Sequence, residues 1–222
     1  MSTLEAAGVI FDFDYTLADS STGIVKSVNY ALGEMGIPLQ PEEEICQTIG
    51  LSLPETLRSL TGLDKEYESE KFSKLFILKA DQIMADSTSV YDFVDEMTKM
   101  LRGMGLKLGI VSSKYRRRIE GVLSREHLLN RFDVVIGGDD VSALKPDPSG
   151  LLEAINILDT STNTSLYVGD SVTDAETSIR ANVEFAAVLS GVTSRERFHT
   201  YGISNILQNA SEVPSLLTNG IS

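Results

Sequence analysis

Four short clusters hold the side chains of this chain that suit chemistry. They are Asp12-Phe-Asp14-Tyr-Thr16, the pair Ser112-Ser113, Lys145 within Leu-Lys-Pro-Asp-Pro, and Asp170 with Asp174 in Gly-Asp-Ser-Val-Thr-Asp. Taken singly, each has a plain structural reading: a turn cap, a loop hydroxyl, a solvated lysine, acids in the first turn of a helix. Each cluster also follows a stretch that reads as a β-strand, so one sheet edge would gather all of them. Carboxylates converging there repel one another and raise each other's pKa. A hard divalent cation relieves that repulsion, and an all-oxygen donor set that keeps waters suits Mg²⁺. A lysine and hydroxyls beside such a cation suit an anion that bridges to it, and phosphate is the group that uses all of these contacts.

The elements that must position these clusters are legible as alternating patterns. Gly8 to Phe11, Lys107 to Val111, Phe132 to Ile136, Leu166 to Val168 and Phe185 to Leu189 are short apolar runs bounded by Gly, Ser, Asp or Asn, which predicts strands. Between them, Val90, Phe93, Val94, Met97 and Leu101 recur at helical spacing, as do Ile119, Val122 and Leu123. The Asp-Pro start of Pro148 to Leu158 predicts an N-cap followed by proline at the first helical position. Near-continuous apolar strands alternating with helices imply an α/β fold with a parallel sheet covered on both faces. Right-handed crossovers bring every strand's C-terminal end to one edge. The tail is expected to complete the sheet with Ile203 to Leu207 and to add a last helix after Ser211.

From about Leu17 to Ala85 the rhythm changes to four helical stretches with no convincing strand. Ile24, Val25, Val28, Ala31, Leu32 and Met35 form an apolar stripe that Gly36-Ile-Pro38 ends; Glu42 to Ile49, Pro54 to Leu60 and Lys65 to Met84 follow. Such an insertion leaves the sheet at the edge where ligands bind, so it is expected to serve as a lid.

Composition narrows the classes. The chain has 222 residues, 42% of them hydrophobic and 23% charged, which suits a folded core domain with an insertion and not a disordered chain. A formal charge of −13 argues against nucleic acid or an anionic membrane as partner, since both need clustered Lys and Arg. The single Cys46 excludes an internal disulfide. The opening residues lack the basic region of a signal peptide, and no stretch approaches the ~18 apolar residues of a membrane span. A cytoplasmic location is expected, and oligomeric state is left open. Arg116, Arg117 and Arg118 are expected to form a solvated face, Gly138-Asp139-Asp140 a loop, and Gly103 to Gly109 a helix stop.

Together the clusters resemble the four motifs of the haloacid dehalogenase (HAD) superfamily, with the phosphoglycolate phosphatase-like members most similar. Asp12 to Leu17 resembles its Asp-x-Asp-x-Thr motif, Ser112 its strand-two hydroxyl, Lys145 its Lys-Pro context, and Gly169 to Glu176 its acidic fourth motif. Asp19-Ser20, Gly23-Ile24 and Ile49-Gly50 add to the likeness. The resemblance implies a Rossmann-like core in residues 1–16 and 86–222, with an all-helical cap in 17–85. It also implies Mg²⁺-dependent hydrolysis of a small phosphorylated metabolite. Asp12 would be the nucleophile and form an aspartyl-phosphate, and Asp14 would act as acid and then base. Mg²⁺ would rest on the Asp12 carboxylate, the Asp14 carbonyl and Asp170, with Asp174 behind them or bound through water. Ser112, Ser113 and Lys145 would bind the phosphoryl oxygens, and Gly50 and Leu51 would contribute specificity from the cap.

Asp14 favours phosphate chemistry over dehalogenation, because a halide leaving group needs no acid. A β-phosphoglucomutase-like phosphomutase shares the core motifs, but the Ala-Asp-Ser-Ser-Thr-Gly stretch lacks the His and Lys expected there. A receiver-like signalling protein would be about half as long and would lack the insertion. Two departures stand out: Tyr15 where relatives commonly carry glycine, read either as narrowing the pocket or packing under the cap or as a simply tolerated variant, and Ala181-Asn182 in place of Ala-Gly, expected to be structurally mild because Asn tolerates a left-handed cap.

Overall fold

In the computed structural model, which describes residues 4–218, the apolar runs form six parallel strands. They are β1 (Gly8–Phe11), β2 (Lys107–Val111), β3 (Val134–Ile136), β4 (Ser165–Gly169), β5 (Glu184–Val188) and β6 (Ile206–Leu207). Their order across the sheet is 3-2-1-4-5-6, the doubly wound Rossmann-like arrangement, in which ligands bind where the strand order reverses. That point is β1, with Phe11 paired to Ile110 of β2 on one side and to Val168 of β4 on the other.

Ten helices accompany the strands among the described residues. The first four are α1 (Ser21–Glu34), α2 (Glu42–Cys46), α3 (Leu53–Thr61) and α4 (Glu66–Ile83). After them come α5 (Val94–Gly103), α6 (Arg116–Arg125), α7 (Ser149–Ile157), α8 (Val172–Ala181), α9 (Arg195–Thr200) and the four-residue α10 (Val213–Leu216). Side chains alternate across the sheet, so Val9 and Phe11 pack with Val94, Met97 and Leu101 of α5 and Ile119 and Val122 of α6. Ile10 faces the other way, onto Leu151 and Ala154 of α7 and Ala175 of α8. All four residues of β1 are buried. This is why the strand reads as an unbroken apolar run instead of an alternating one.

The chain divides into two compact units, one made of residues up to Ala18 and from Val90 onward, the other of Asp19–Ser89. The divisions fall two and four residues beyond the 16/17 and 85/86 positions expected from sequence. Leu17 and Ala18 are fully buried in the sheet unit's core, whereas the Thr88 hydroxyl donates to the Met84 carbonyl and belongs with the helices. Within the helical unit, Val28 and Leu32 of α1 pack with Ile45, Leu57, Phe72 and Phe76. Its α3 begins with a capping box in which Ser52 and Glu55 satisfy each other's backbone amides, as such pairs do at helix starts.

Several local expectations need correction. α7 starts at Ser149 with Pro148 in the capping position, and the Asp147 carboxylate reaches forward to accept from the Ser149 amide. β3 begins at Val134 and not at Phe132, because Asp133 instead uses its carboxylate to accept from the Leu108 amide and to pair with Arg102. Only Ile206–Leu207 of the tail run joins the sheet. Beyond Ser211 the chain makes one short turn of helix, then pairs Leu217–Thr218 with Leu4–Glu5, a long-range contact without a local signature.

Candidate active site

Parallel pairing of β1 with β2 and β4 sets Asp12, Ser112 and Asp170 one residue beyond three adjacent strand ends. Asp12, Asp170 and Asp174 are buried, and each offers a carboxylate oxygen lying within 4.8 Å of the others. Lys145 Nζ enters the same cluster, 3.0 Å from Asp12 Oδ1 and 2.6 Å from Asp174 Oδ1. Thr16 donates to Asp170 across 3.2 Å. The motif residues of the sheet unit therefore converge, while Gly50 and Leu51 lie in the α2–α3 loop of the helical unit, where Gly50 turns the chain with φ 98°.

Local structure explains how each group is held. After β1, the amides of Thr16, Leu17 and Ala18 all turn back to the Phe13 carbonyl. This tight loop needs Tyr15 in the left-handed region, φ 58°, at a cost of about 1–2 kcal/mol for a residue with a side chain. The ring is nearly buried and the Tyr15 carbonyl accepts from the Ser190 hydroxyl, so packing holds the strained turn. Asn182 takes the left-handed cap of α8, φ 53°, as its short polar side chain permits. Ser171 caps the start of that helix, accepting from the Asp174 amide while Asp174 Oδ2 accepts from the Ser171 amide and hydroxyl. Asp174 thus fills the plain role of a first-turn acid and also holds Lys145. With both oxygens engaged, it is less free to bind a cation than Asp12 or Asp170.

Glycines let the loops close on this cluster. A Cβ on Gly191 would lie 2.0 Å from Asp170 Oδ2, and one on Gly169 would lie 2.6 Å from the Asp174 side chain. The Gly138 amide donates to the Lys114 carbonyl, and a Cβ there would meet the Ser113 carbonyl at 2.4 Å. The Gly-Asp-Asp loop therefore braces the Ser112-Ser113 turn. Ser112 is buried and Ser113 half-buried. Arg116 pairs with Glu120, and Arg117 and Arg118 lie over the Tyr115 ring.

Charge is unbalanced in the cluster. Three buried carboxylates face one lysine, so full ionisation would leave two negative charges uncompensated. Burial pushes the Asp12 carboxyl up to about 6; Lys145 opposes this, while Asp174 and Asp14 add to it. Burial also holds Asp170 well above the usual carboxylate range, with Asp174 and Asp12 contributing. For Lys145, burial alone would lower the ammonium, but Asp12 and Asp174 hold it well above its ordinary value. Asp12 Oδ1 is buried with no hydrogen-bond partner beyond the Lys145 ion pair at 3.0 Å. A buried carboxylate oxygen held only by an ion pair, acids in excess of the one lysine and oxygen-only donors fit a hard divalent cation.

Three contributors escaped the sequence reading. Lys114 is buried and contacts both oxygens of Asp14, at 2.9 and 3.3 Å; its signal was a lysine two residues past the Ser112 strand end. The Tyr167 hydroxyl donates to Asp174 across 2.8 Å from within β4. A tyrosine in a buried strand needs such a partner, which was the available clue. Thr16 is legible in sequence only as part of its motif; its bond to Asp170, 154 residues away, depends on the fold.

A family model described as haloacid dehalogenase-like hydrolase matches residues 9–188. The chain is 32% identical to a phosphoglycolate phosphatase of Cereibacter sphaeroides, over 95% of this chain and 97% of that one. It is 29% identical to the pyrophosphatase PpaX of Bacillus cereus, over 95% and 96%. A crystal structure of a haloacid dehalogenase-like hydrolase from Bacteroides fragilis superimposes with a TM-score of 0.91 at 37% identity, covering 94% of this chain and all of that one.

Proposed function

Because the chain belongs to the haloacid dehalogenase-like hydrolase family, we propose that it is a Mg²⁺-dependent phosphatase acting on a small phosphorylated metabolite through an aspartyl-phosphate. The observation that carries this reading is the buried trio Asp12, Asp170 and Asp174 with Lys145 at the reversal point of the sheet. The names of the relatives, a phosphoglycolate phosphatase and a pyrophosphatase, support phosphate as the reacting group.

Asp12 attacks phosphorus in line as the bond to the leaving oxygen breaks, and Asp14 passes its proton to that oxygen. Water then attacks the aspartyl-phosphate, giving its proton to Asp14 and releasing phosphate and free Asp12. Ser112 and Ser113 donate to the phosphoryl oxygens. Lys145, already held by Asp174, offsets charge on Asp12 and on the transferring group, and phosphoryl transfer rests mainly on such positioning and charge stabilisation. Asp12, Asp170 and the Asp14 carbonyl would hold Mg²⁺, with Asp174 anchoring Lys145 behind them. When bound, the cation would neutralise the carboxylates and draw charge from the phosphoryl oxygens. Gly50 and Leu51 are proposed as specificity residues.

The test is hydrolysis of p-nitrophenyl phosphate with and without Mg²⁺, for wild type and Asp12→Asn. Metal-dependent turnover that Asp12→Asn abolishes is expected, and a fully active variant would remove Asp12 as nucleophile. A panel of phosphoglycolate, pyrophosphate, sugar phosphates and nucleotides, ranked by kcat/KM, then reads the substrate. No helix among the described residues is long and apolar enough to cross a membrane.

A further inference from the structure

Lysine is rarely buried unless paired. The sheet unit nevertheless buries two, and divides them between the two aspartates of the first motif. Lys145 serves Asp12 and Asp174. Lys114 serves Asp14 from a position 100 residues away in sequence, contacting both its oxygens with Nζ at 2.9 and 3.3 Å. The Lys114 side chain is 4% exposed and that of Asp14 14%, so the pair is shielded while Asp14 keeps some contact with solvent.

The loop holding Lys114 is braced from several sides. Its amide reaches the Ser112 hydroxyl at 3.4 Å and its carbonyl accepts from the Gly138 amide at 3.0 Å. Its Nζ lies 5.8 Å above the Phe13 ring. A carboxylate on a single χ2 torsion swings freely unless something grips it. Contact at both oxygens removes that swing and directs the remaining lone pairs outward. A proton-transferring group gains most from such fixing, because transfer needs hydrogen-bond reach and alignment at the moment the bond breaks.

From this geometry we infer that Lys114 is a positioning residue for Asp14, aligning its carboxyl with the leaving-group oxygen. The inference rests on the phosphatase reading above and concerns its proton-transfer step. As the bond from phosphorus to the leaving oxygen breaks, the proton on Asp14 moves to that oxygen, and the product leaves as a neutral alcohol.

The test compares two leaving groups with Mg²⁺ present. p-Nitrophenolate departs without a proton, whereas the alkoxide of glycerol phosphate needs one. With Lys114→Met, kcat/KM, which reports the step that expels the leaving group and not the later attack of water shared by both esters, is expected to fall on the order of 10²-fold on glycerol phosphate, the usual worth of general acid help, and by less than about tenfold on p-nitrophenyl phosphate. Lys114→Arg keeps a cation able to grip both oxygens, so it is expected to restore at least about tenfold of the loss. Lys114→Met in an Asp14→Asn background should cost nothing further on glycerol phosphate, since residues acting as a unit are non-additive. If the single variant fails to fold, that comparison can still refute the inference, and the ratio of the two substrates in Lys114→Arg against wild type supplies the positive reading. Equal losses on the two substrates, or a double variant slower than Asp14→Asn, would overturn the inference while leaving the phosphatase reading intact. A wild type that cleaves neither ester would defeat the reading itself.

Discussion

Replacing Asp12 with asparagine should stabilise the metal-free protein at neutral pH while abolishing turnover. Asp12 is 3% exposed, and burial lifts its carboxyl from 3.8 to about 6 in spite of Lys145. The folded chain therefore binds this proton more tightly than the unfolded chain does. The associated stability is fully present below pH 3.8 and is lost as pH rises through 6. A shift of about 2 units at ~1.4 kcal/mol each gives a loss of about 3 kcal/mol above pH 7. Asparagine never ionises, so it escapes the loss. It also relieves the repulsion that Asp12 exerts on Asp170, an effect of the same sign. For a chain of this size, ~2–4 °C per kcal/mol translates the gain to roughly 6–12 °C in apparent Tm.

The assay is thermal unfolding of wild type and Asp12→Asn in EDTA from pH 4 to 8. The difference between the two should widen from pH 4 to 6 and level off above 7. Added Mg²⁺ should narrow the gap by stabilising the wild type selectively, because a ligand of the native state raises its stability by mass action. A wild type at least as stable as the variant at pH 7.5 in EDTA, or a difference that does not change with pH, would refute the electrostatic account of the cluster.

Gly191→Ala, whose Cβ would lie 2.0 Å from Asp170 Oδ2, should displace that carboxylate. The Mg²⁺ concentration for half-maximal activity is expected to rise ~10–100-fold, as for the loss of a ligand's support. Lys145→Met leaves Asp12 and Asp174 buried without their cation, and urea unfolding should show a loss of ~3–5 kcal/mol along with the loss of activity. Ser171→Ala removes the α8 cap. It should cost ~0.5–2 kcal/mol by the same measurement and lower kcat by loosening Asp174.

How far these features could be read ahead of the structure depended on the range of the forces involved. β1 and β2 were legible residue for residue, because their apolar runs are buried on both faces and only Lys107, at the start of β2, is half-buried. The acids and Lys145 were legible as members of known motifs, although their shared location depended on the parallel topology. Lys114 was not, since its partner Asp14 is distant in sequence and an isolated lysine after two serines resembles any loop residue. Tyr15 was legible as a departure. Its left-handed backbone, together with the Ser190 contact that helps hold it, required the fold. The pairing of Leu217 with Leu4 was invisible for the same reason.

Asp174 closes the first turn of α8 with one oxygen and grips Lys145 and Tyr167 with the other. The amides that open this helix consequently share a fate with the ammonium in the pocket. Whatever draws Lys145 toward an incoming anion also tugs on the helix start, so deuterium uptake along residues 171–174 should register occupancy of the pocket without any label on the substrate.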